Sequence, residues 1–312
     1  MKVVIAGSSG SVGTASVNSL RRDGHSVVRL LRPGSEARAW GSADEMTVEW
    51  NPAAAGEARP FGNDQEKVES ADAVVNLAGA SIAGGRWTER RKAVLRLSRV
   101  QTTRELVAAI GKLRARPKVL VSASAIGYYG NRGDEVLTEE SRPGGDFLSG
   151  VAQEWEAEAV KAEALGMRVV RARFGIILAK QGGALQQMMR PFRLGVGGKL
   201  GSGQQWMSWV TLQDVVGILR WAIESASVGG AVNVVAPRAV RNTEFTRELA
   251  RAMRRPAIFP APAFALRLAL GEMADALLLS SQRVRPARLE QAGYRFLHPE
   301  LATALASVLS GA

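Results

Sequence analysis

A run of apolar residues, Val3-Val4-Ile5-Ala6, leads directly into Gly7-Ser8-Ser9-Gly10-Ser11-Val12-Gly13, and the pattern that follows predicts a helix ending near Arg22. Strand, glycine-rich turn and helix in that order present backbone N–H groups to a pyrophosphate in an α/β protein. Gly7 takes the tight turn, Gly10 leaves room for the phosphate, and Gly13 lets the helix approach the strand. The spacing is Gly-x-x-Gly-x-x-Gly, not the commoner Gly-x-Gly-x-x-Gly. A ligand-free strand–helix turn would use the same glycines, so the reading depends on the rest of the chain.

That rest alternates strand and helix. Strands are predicted at His25–Leu31, Met46–Trp50, Ala73–Leu77, Pro117–Ser122, Met167–Arg173 and Val232–Val235. Several are continuous apolar runs, as expected of parallel strands buried on both faces. Long helices are predicted near Trp87–Leu113 and Phe147–Leu165. The fold class is therefore α/β, a doubly wound parallel sheet. After about residue 238 the strands stop, and Asn242–Met253, Ala263–Leu279 and Gln282–Gln291 read as helices punctuated by prolines. The expected division is a nucleotide-binding domain over 1–238, with substrate-pocket segments about 180–210, and a small helical subdomain over 239–312.

Composition narrows the function. With no cysteine, thiolate metal sites, disulfides and a cysteine nucleophile are excluded. The two histidines, His25 and His298, cannot build a histidine-rich metal site. The net charge is +12, but only eight of the 41 basic residues are lysine, and the arginines are scattered without interleaved aromatics. This describes a solvated basic surface compatible with phosphate-bearing ligands, not a nucleic-acid interface. The apolar stretch from Pro256 to Leu279 is broken by Arg267, Glu272 and Asp275, so no membrane span is expected. Met1-Lys2 runs straight into a core strand. The expectation is a soluble, cytoplasmic protein acting on a small molecule.

The second strand ends Val28-Arg29-Leu30-Leu31-Arg32-Pro33. A nucleotide fold selective for NAD places a carboxylate there to accept hydrogen bonds from the ribose. Here the acid is missing and Arg32 stands in its place, and a guanidinium suits a 2′-phosphate. A charge-assisted contact of roughly 1.5–3 kcal/mol would favour NADP over NAD by about ten- to a hundredfold.

Asn76-Leu77-Ala78-Gly79, Ser122-Ala123-Ser124-Ala125-Ile126-Gly127-Tyr128-Tyr129-Gly130 and Arg173-Phe174-Gly175 resemble elements of extended, epimerase-like short-chain dehydrogenase/reductases. Gly84-Gly85-Arg86-Trp87-Thr88, Gly201 to Trp209 and Leu270-Gly271-Glu272-Met273-Ala274-Asp275 resemble more specifically the atypical "epimerase family" group, also labelled nucleoside-diphosphate-sugar epimerase or SulA-type cell division inhibitor. The resemblance spans essentially the whole chain and implies a Rossmann sheet of the extended type that binds NADP(H). It implies that Gly7, Ser8, Ser9, Gly10, Ser11, Val12 and Gly13 hold the pyrophosphate and that Arg32 holds the 2′-phosphate. Leu77, Ala78 and Gly79 would line the adenosine–ribose side. Ser122 and Ala123 would lie along the nicotinamide ribose, and Phe174, Gly175 and Ile176 beside the nicotinamide. Relatives also dimerise through their two long helices, which makes Trp87–Leu113 and Phe147–Leu165 the expected homodimer surface.

Catalysis is where the chain departs from that group. The superfamily site uses a serine, a tyrosine and a lysine four residues after the tyrosine, which depresses the phenol's pKa. Ser124 supplies the serine, but Phe147 stands at the tyrosine position and Val151 at the lysine position. Tyr128 is then the candidate proton donor, whereas Tyr129 is expected to pack. Two classes of function remain. One is an NADP(H)-dependent oxidoreductase with a rebuilt site, reducing a small carbonyl or conjugated substrate, since the cofactor carries the hard step. The other is a catalytically silent NADP(H)-responsive binding protein. A nucleotide-sugar epimerase is a third reading. Pocket candidates are Ser81, Arg86, Trp87, Phe147, Met188, Phe192, Trp206 and Ser208, an aromatic lining that suits a flat or apolar ligand. Trp209 is expected in the core, and Asp214 is expected to cap the helix it begins.

Overall fold

The computed structural model describes residues 1–34, 46–52 and 56–310. The first half comprises β1 (Lys2–Ala6), α1 (Ser11–Arg22), β2 (Ser26–Leu31), β3 (Met46–Glu49), α2 (Gln65–Val68), β4 (Ala73–Asn76), α3 (Glu89–Leu97), α4 (Val100–Gly111) and β5 (Val119–Ala125). Then come β6 (Val136–Leu137), α5 (Phe147–Val160), β7 (Arg168–Phe174), β8 (Ile176–Leu178), α6 (Gly183–Arg193), β9 (Trp206–Met207), β10 (Trp209–Thr211), α7 (Leu212–Glu224) and β11 (Gly230–Val234). The C-terminal part holds β12 (Val240–Arg241), α8 (Asn242–Met253), α9 (Ala263–Leu270), β13 (Arg283–Val284), α10 (Ala287–Gln291) and α11 (Leu301–Ser310).

Seven strands form one sheet in the order β11-β7-β5-β4-β1-β2-β3. Every pairing in it is parallel. The chain winds outward from β1 to β3 and then returns to lay β4 on the other side of β1. The expected doubly wound sheet is thus present, with its switch point between β1 and β4. Alternate residues of each strand feed two cores. Val3, Ile5, Val75 and Val121 pack with Val17 and Leu20 of α1 and Ile218 of α7 on one face. Val4, Val28, Val74 and Leu120 pack with Leu106 and Ile110 of α4 on the other. A third core joins Leu185, Met189 and Phe192 of α6 to Phe245 and Leu249 of α8 and Leu301 and Leu305 of α11, and includes Trp209, which is fully buried as expected.

Several expected boundaries change. The helix expected over Trp87–Leu113 is two helices, α3 and α4, separated at Ser98 and Arg99. Ser98 bonds back to the carbonyl of Leu95, and Arg99 has φ −111°. The C-terminal part is mainly helical but contains β12, antiparallel to β9, and β13, parallel to β6. Residues 274–279 form a π-helical turn, not a continuation of α9. Thr211, not Asp214, caps α7: its hydroxyl accepts from the Asp214 N–H at 3.1 Å and donates to the Asp214 carboxylate at 2.8 Å. That buried carboxylate also accepts from the backbone N–H groups of Leu297 and His298, tying the C-terminal segment to the start of α7.

Two helix glycines meet opposite surroundings. A Cβ on Gly13 would lie 2.3 Å from the carbonyl oxygen of Gly7, whereas one on Gly150 in α5 would meet nothing within 4 Å. Gly13→Ala should therefore lower unfolding free energy by about 1–3 kcal/mol or more through overpacking. Gly150→Ala should raise it by about 0.5–1 kcal/mol through helix propensity. Urea denaturation of the two variants checks the contrast.

Candidate functional site

The carboxyl ends of β1 and β4 open onto the switch point, where an open α/β sheet binds its ligand. Gly7 has φ +78° and backs so closely onto residues 77 and 78 that a Cβ would sit 2.5 Å from the Leu77 carbonyl carbon. Gly10 is different. It is exposed, and a Cβ there would find only the Gly7 carbonyl oxygen, at 3.6 Å. Folding does not require this glycine, so the open face beside it is space for an incoming group. Gly10 is also the N-cap of α1 and offers no side-chain cap, and no acid stands in the first turn. The helix's leading N–H groups and positive dipole end thus face that space, which suits a pyrophosphate.

The cradle is braced on two sides. Beneath it, Ser8 is buried and its Oγ accepts from Nε of Arg29, a buried residue on β2, at 3.2 Å. Beside it, Gly182 lies so near that a Cβ would stand 2.5 Å from Ser11 Oγ. Gly182 is the N-cap of α6, again without a side-chain cap or an acid in the first turn. Two glycine-capped helix starts therefore converge at Ser11. Gly182 and Gly183 were not among the expected site residues, although a glycine pair between a strand and a helix is the signal that marks them.

Around the cradle, Ser9 and Ser11 are exposed, while Val12 is half-buried against the sheet core. Arg32 is exposed one residue beyond β2. Leu77 and Ala78 are half-buried and Gly79 is exposed. Their path is set by Asn76, whose carboxamide accepts from the Ala78 N–H and donates to Thr103 Oγ1 at 2.8 Å. Ser122 and Ala123 are buried in β5, and Asn76 Nδ2 donates to Ser122 Oγ at 3.4 Å. Leu77 and Phe174 pack with Val100, Ala123 and Trp155 in one small apolar cluster at this edge. Gly175 and Ile176 follow Phe174. Gly175 is needed for the close approach of Ser208, whose carbonyl oxygen would lie 2.6 Å from a Cβ.

The proton-transfer half of the site is occupied by other structure. Phe147 opens α5 and meets Trp87 edge-on, with ring centroids 5.6 Å apart, while Val151 is buried one turn later. Ser124 corrects the expectation of a substrate-facing hydroxyl. It is 2% exposed and donates to Glu156 Oε1 at 2.7 Å. Glu156 also holds Arg173 in a two-point ion pair of 2.7 and 2.8 Å, and Arg171 at 3.2 Å. Burial depresses the Arg173 guanidinium's pKa, but the bonds and charge of Glu156 outweigh burial and raise it overall. Arg173 donates to the hydroxyl of Tyr129, which in turn donates to Asn233 Oδ1 at 2.7 Å. Burial pushes Tyr129 up to about 12 against the pull of Arg173, the wrong direction for a phenol that trades protons near neutrality. Tyr128 is half-buried, with its ring face 3.5 Å from the Arg173 guanidinium carbon.

The expected pocket residues divide. Ser81 and Arg86 are exposed, and Trp87 is half-buried with Nε1 donating to the Ile82 carbonyl at 3.0 Å. Trp87 meets Phe147, and Arg86 reaches the C-terminal part, donating to the Leu268 carbonyl at 3.4 Å. Met188 is half-buried against the third core. Three others are corrected from pocket lining to framework. Phe192 is buried in that core. Ser208 is buried, donating to the Gln282 carbonyl and accepting from the Val284 N–H. Trp206 is held between the guanidiniums of Arg241 and Arg283, at 4.2 and 4.5 Å, with Nε1 donating to Asp134.

A parallel sheet whose switch-point crevice is floored by a glycine turn and a bare helix start defines a nucleotide-binding protein of the doubly wound α/β class. Residues 3–235 match the model of the NAD dependent epimerase/dehydratase family, and the chain belongs to that family. Residues 261–308 match a domain of unknown function, DUF1731. An epimerase family protein of Mycobacterium leprae is 41% identical over 303 residues, covering 97% of this chain and 94% of the relative. The crystal structure of human epimerase family protein SDR39U1 with NADPH superposes with a TM-score of 0.85 at 32% identity, over the full length of both chains. The UDP-glucose 4-epimerase of Thermus thermophilus, at 16% identity and a TM-score of 0.77 over both full chains, shares the fold. No helix among the described residues is long and apolar enough to cross a membrane.

Removing Glu156 strands a buried arginine, so Glu156→Ala should cost about 3–5 kcal/mol, and replacing Glu156 and Arg173 together with methionine should recover much of that loss. Chemical denaturation measures both. Burial, helped by the Asp214 charge, also pushes Tyr294 up to about 12. The folded chain then keeps Tyr129 and Tyr294 neutral where the unfolded chain ionises them, so stability should fall as pH rises from about 10 towards 12. Phenolate absorbance near 295 nm should show Tyr129 and Tyr294 ionising only as the pH approaches about 12.

Proposed function

We propose that the chain binds NADP(H) at the β1–α1 turn and reduces a small carbonyl or conjugated substrate without a tyrosine–lysine pair. The observation that carries this reading is the Gly10 face, an open cradle that packing does not require. The NADPH bound by the human relative supports it, since both chains align over their whole length. Bound, the dinucleotide would supply the hydride, and the carbonyl oxygen would take a proton to give an alcohol. The glycine turn and the α1 N-terminus would hold the pyrophosphate, with the start of α6 alongside, and Arg32 would hold the 2′-phosphate. Ala123 and Phe174 would seat the nicotinamide end on an apolar floor, with Leu77 packed against them on the adenosine–ribose side. Tyr128, or water, would deliver the proton. Tyr129 is committed to Asn233 and Arg173, and Tyr294 is packed against Trp221 and Phe296.

A reductase suits this site better than an epimerase does. Epimerisation removes and returns hydride at one carbon and needs an acid and a base of tuned pKa. Here the two positions that would tune them hold Phe147 and Val151.

Titration by tryptophan quenching should show NADPH binding about ten- to a hundredfold tighter than NADH, with Arg32→Ala abolishing the preference. Gly10→Ser should keep or raise stability, because serine is a good N-cap, yet weaken NADPH binding by filling the cradle. Equal affinity for the two cofactors in the wild type would overturn the Arg32 assignment. Tight NADPH binding without turnover across aldehydes, quinones, enones and nucleotide sugars would move the reading to a cofactor-responsive binding protein.

A further inference from the structure

The loop after β4 is gripped by arginines that have no acidic partner among the described residues. Arg99, at the break between α3 and α4, donates from Nη2 to the Ala80 carbonyl and from Nη1 to the Leu95 carbonyl, both at 3.0 Å. Arg91 of α3 donates to the carbonyl of Ser81, the next residue along, while its Nε is buried with no acceptor. Among the described residues, no carboxylate lies within 4 Å of either guanidinium. Their neighbours differ. Arg96 pairs with Glu154, Arg104 with Glu158, and Lys92 with Glu89 and Glu272. The basic groups facing α5 or the C-terminal part are thus neutralised, and those facing the loop are not.

Two guanidiniums on consecutive carbonyls repel each other, and burial adds to the cost. Burial, with the Arg91 charge beside it, lowers Arg99 to about 10. Capping loop carbonyls does not call for two like charges, and a neutral donor would serve. Arg99 also stands at the edge of the site. Its guanidinium lies 5.4 Å from the Trp155 ring centroid, in the cluster that includes Leu77, Ala123 and Phe174, and its carbon would be 3.4 Å from a Cβ on Gly79. The cofactor's own phosphates are provided for elsewhere, at the helix starts around Ser11 and at Arg32.

We propose that Arg99 and Arg91 form the oxyanion subsite of the substrate, which carries a carboxylate or phosphate group beside its reacting carbonyl. This deepens the reductase reading and rests on it. A guanidinium takes either oxyanion at two points, which fixes orientation as well as position. The flat, apolar body of such a substrate would lie towards Trp87 and Phe147, and its anionic end towards the two guanidiniums at Ala80 and Ser81.

The test uses the full chain with and without saturating NADPH, titrated calorimetrically with oxalate and, separately, inorganic phosphate at constant ionic strength. Oxalate probes a carboxylate and phosphate a phosphoryl group, so the tighter of the two names the substrate's anion. The wild type should bind at least one of them. Arg99→Gln should weaken that binding about tenfold or more and Arg91→Gln at least threefold, while NADPH affinity stays within about twofold in both. Anion binding equal in wild type and variants, or no anion binding by the wild type, overturns the proposal. So does a large loss of NADPH affinity in Arg99→Gln, which would make Arg99 a cofactor ligand. Should Arg99→Gln fail to fold by circular dichroism, Arg91→Gln decides alone. Failure of the wild type to bind NADPH would sink the reductase reading, while the anion titration of the free protein would still judge the subsite.

Discussion

The two-point pair between Arg173 and Glu156 organises the part of the molecule where chemistry would be expected. Both side chains are almost wholly buried, so neither charge is tolerable without the other. The pair joins the end of β7 to the second half of α5 and draws in Ser124, Arg171 and Tyr129. Each of these groups could have served a reaction in another setting. Here the serine answers to a carboxylate, and Tyr129 is held neutral by burial. The result is a rigid polar core directly beneath the carboxyl edge, with the Tyr128 ring lying across its arginine.

The cofactor half and the proton half of the site have thus diverged. The glycine turn keeps its geometry, including the one glycine that packing does not demand. The start of α5 keeps its helix but presents Phe147 against Trp87. A reductase built on this frame would depend on positioning its substrate well, because it would have little acid–base power of its own. Two guanidiniums beside the β4 loop with no carboxylate partner among the described residues would suit that demand.

Much of the fold was legible in the sequence because the strands are buried on both faces and the glycines punctuate them. α1, from Ser11 to Arg22, and the alternation of strand and helix follow from local pattern alone. What could not be read depends on distant partners. β12 and β13 are two residues long and exist only because β9 and β6 lie beside them, so they carry no periodicity. The break at Ser98–Arg99 has no glycine or proline to announce it. Ser208 and Trp206 looked like loop residues free to meet a ligand, yet Gln282, Asp134, Arg241 and Arg283 arrive from far along the chain to occupy them. Arg99 was invisible for the opposite reason: a missing partner has no sequence signature.

The meeting of two glycine-capped helix starts at Ser11 has a mechanical consequence. α1 is rooted in the core of the parallel sheet, and α6 in the separate core it shares with α8 and α11. A phosphate seated between them would be held by both bodies at once, like a rivet through two plates. Ligand binding at that point would raise the stability of the C-terminal plate, which among the described residues adds no strand to the large sheet. The presence of the nucleotide would then be felt as stiffness in α8 and α11, away from the cradle that holds it.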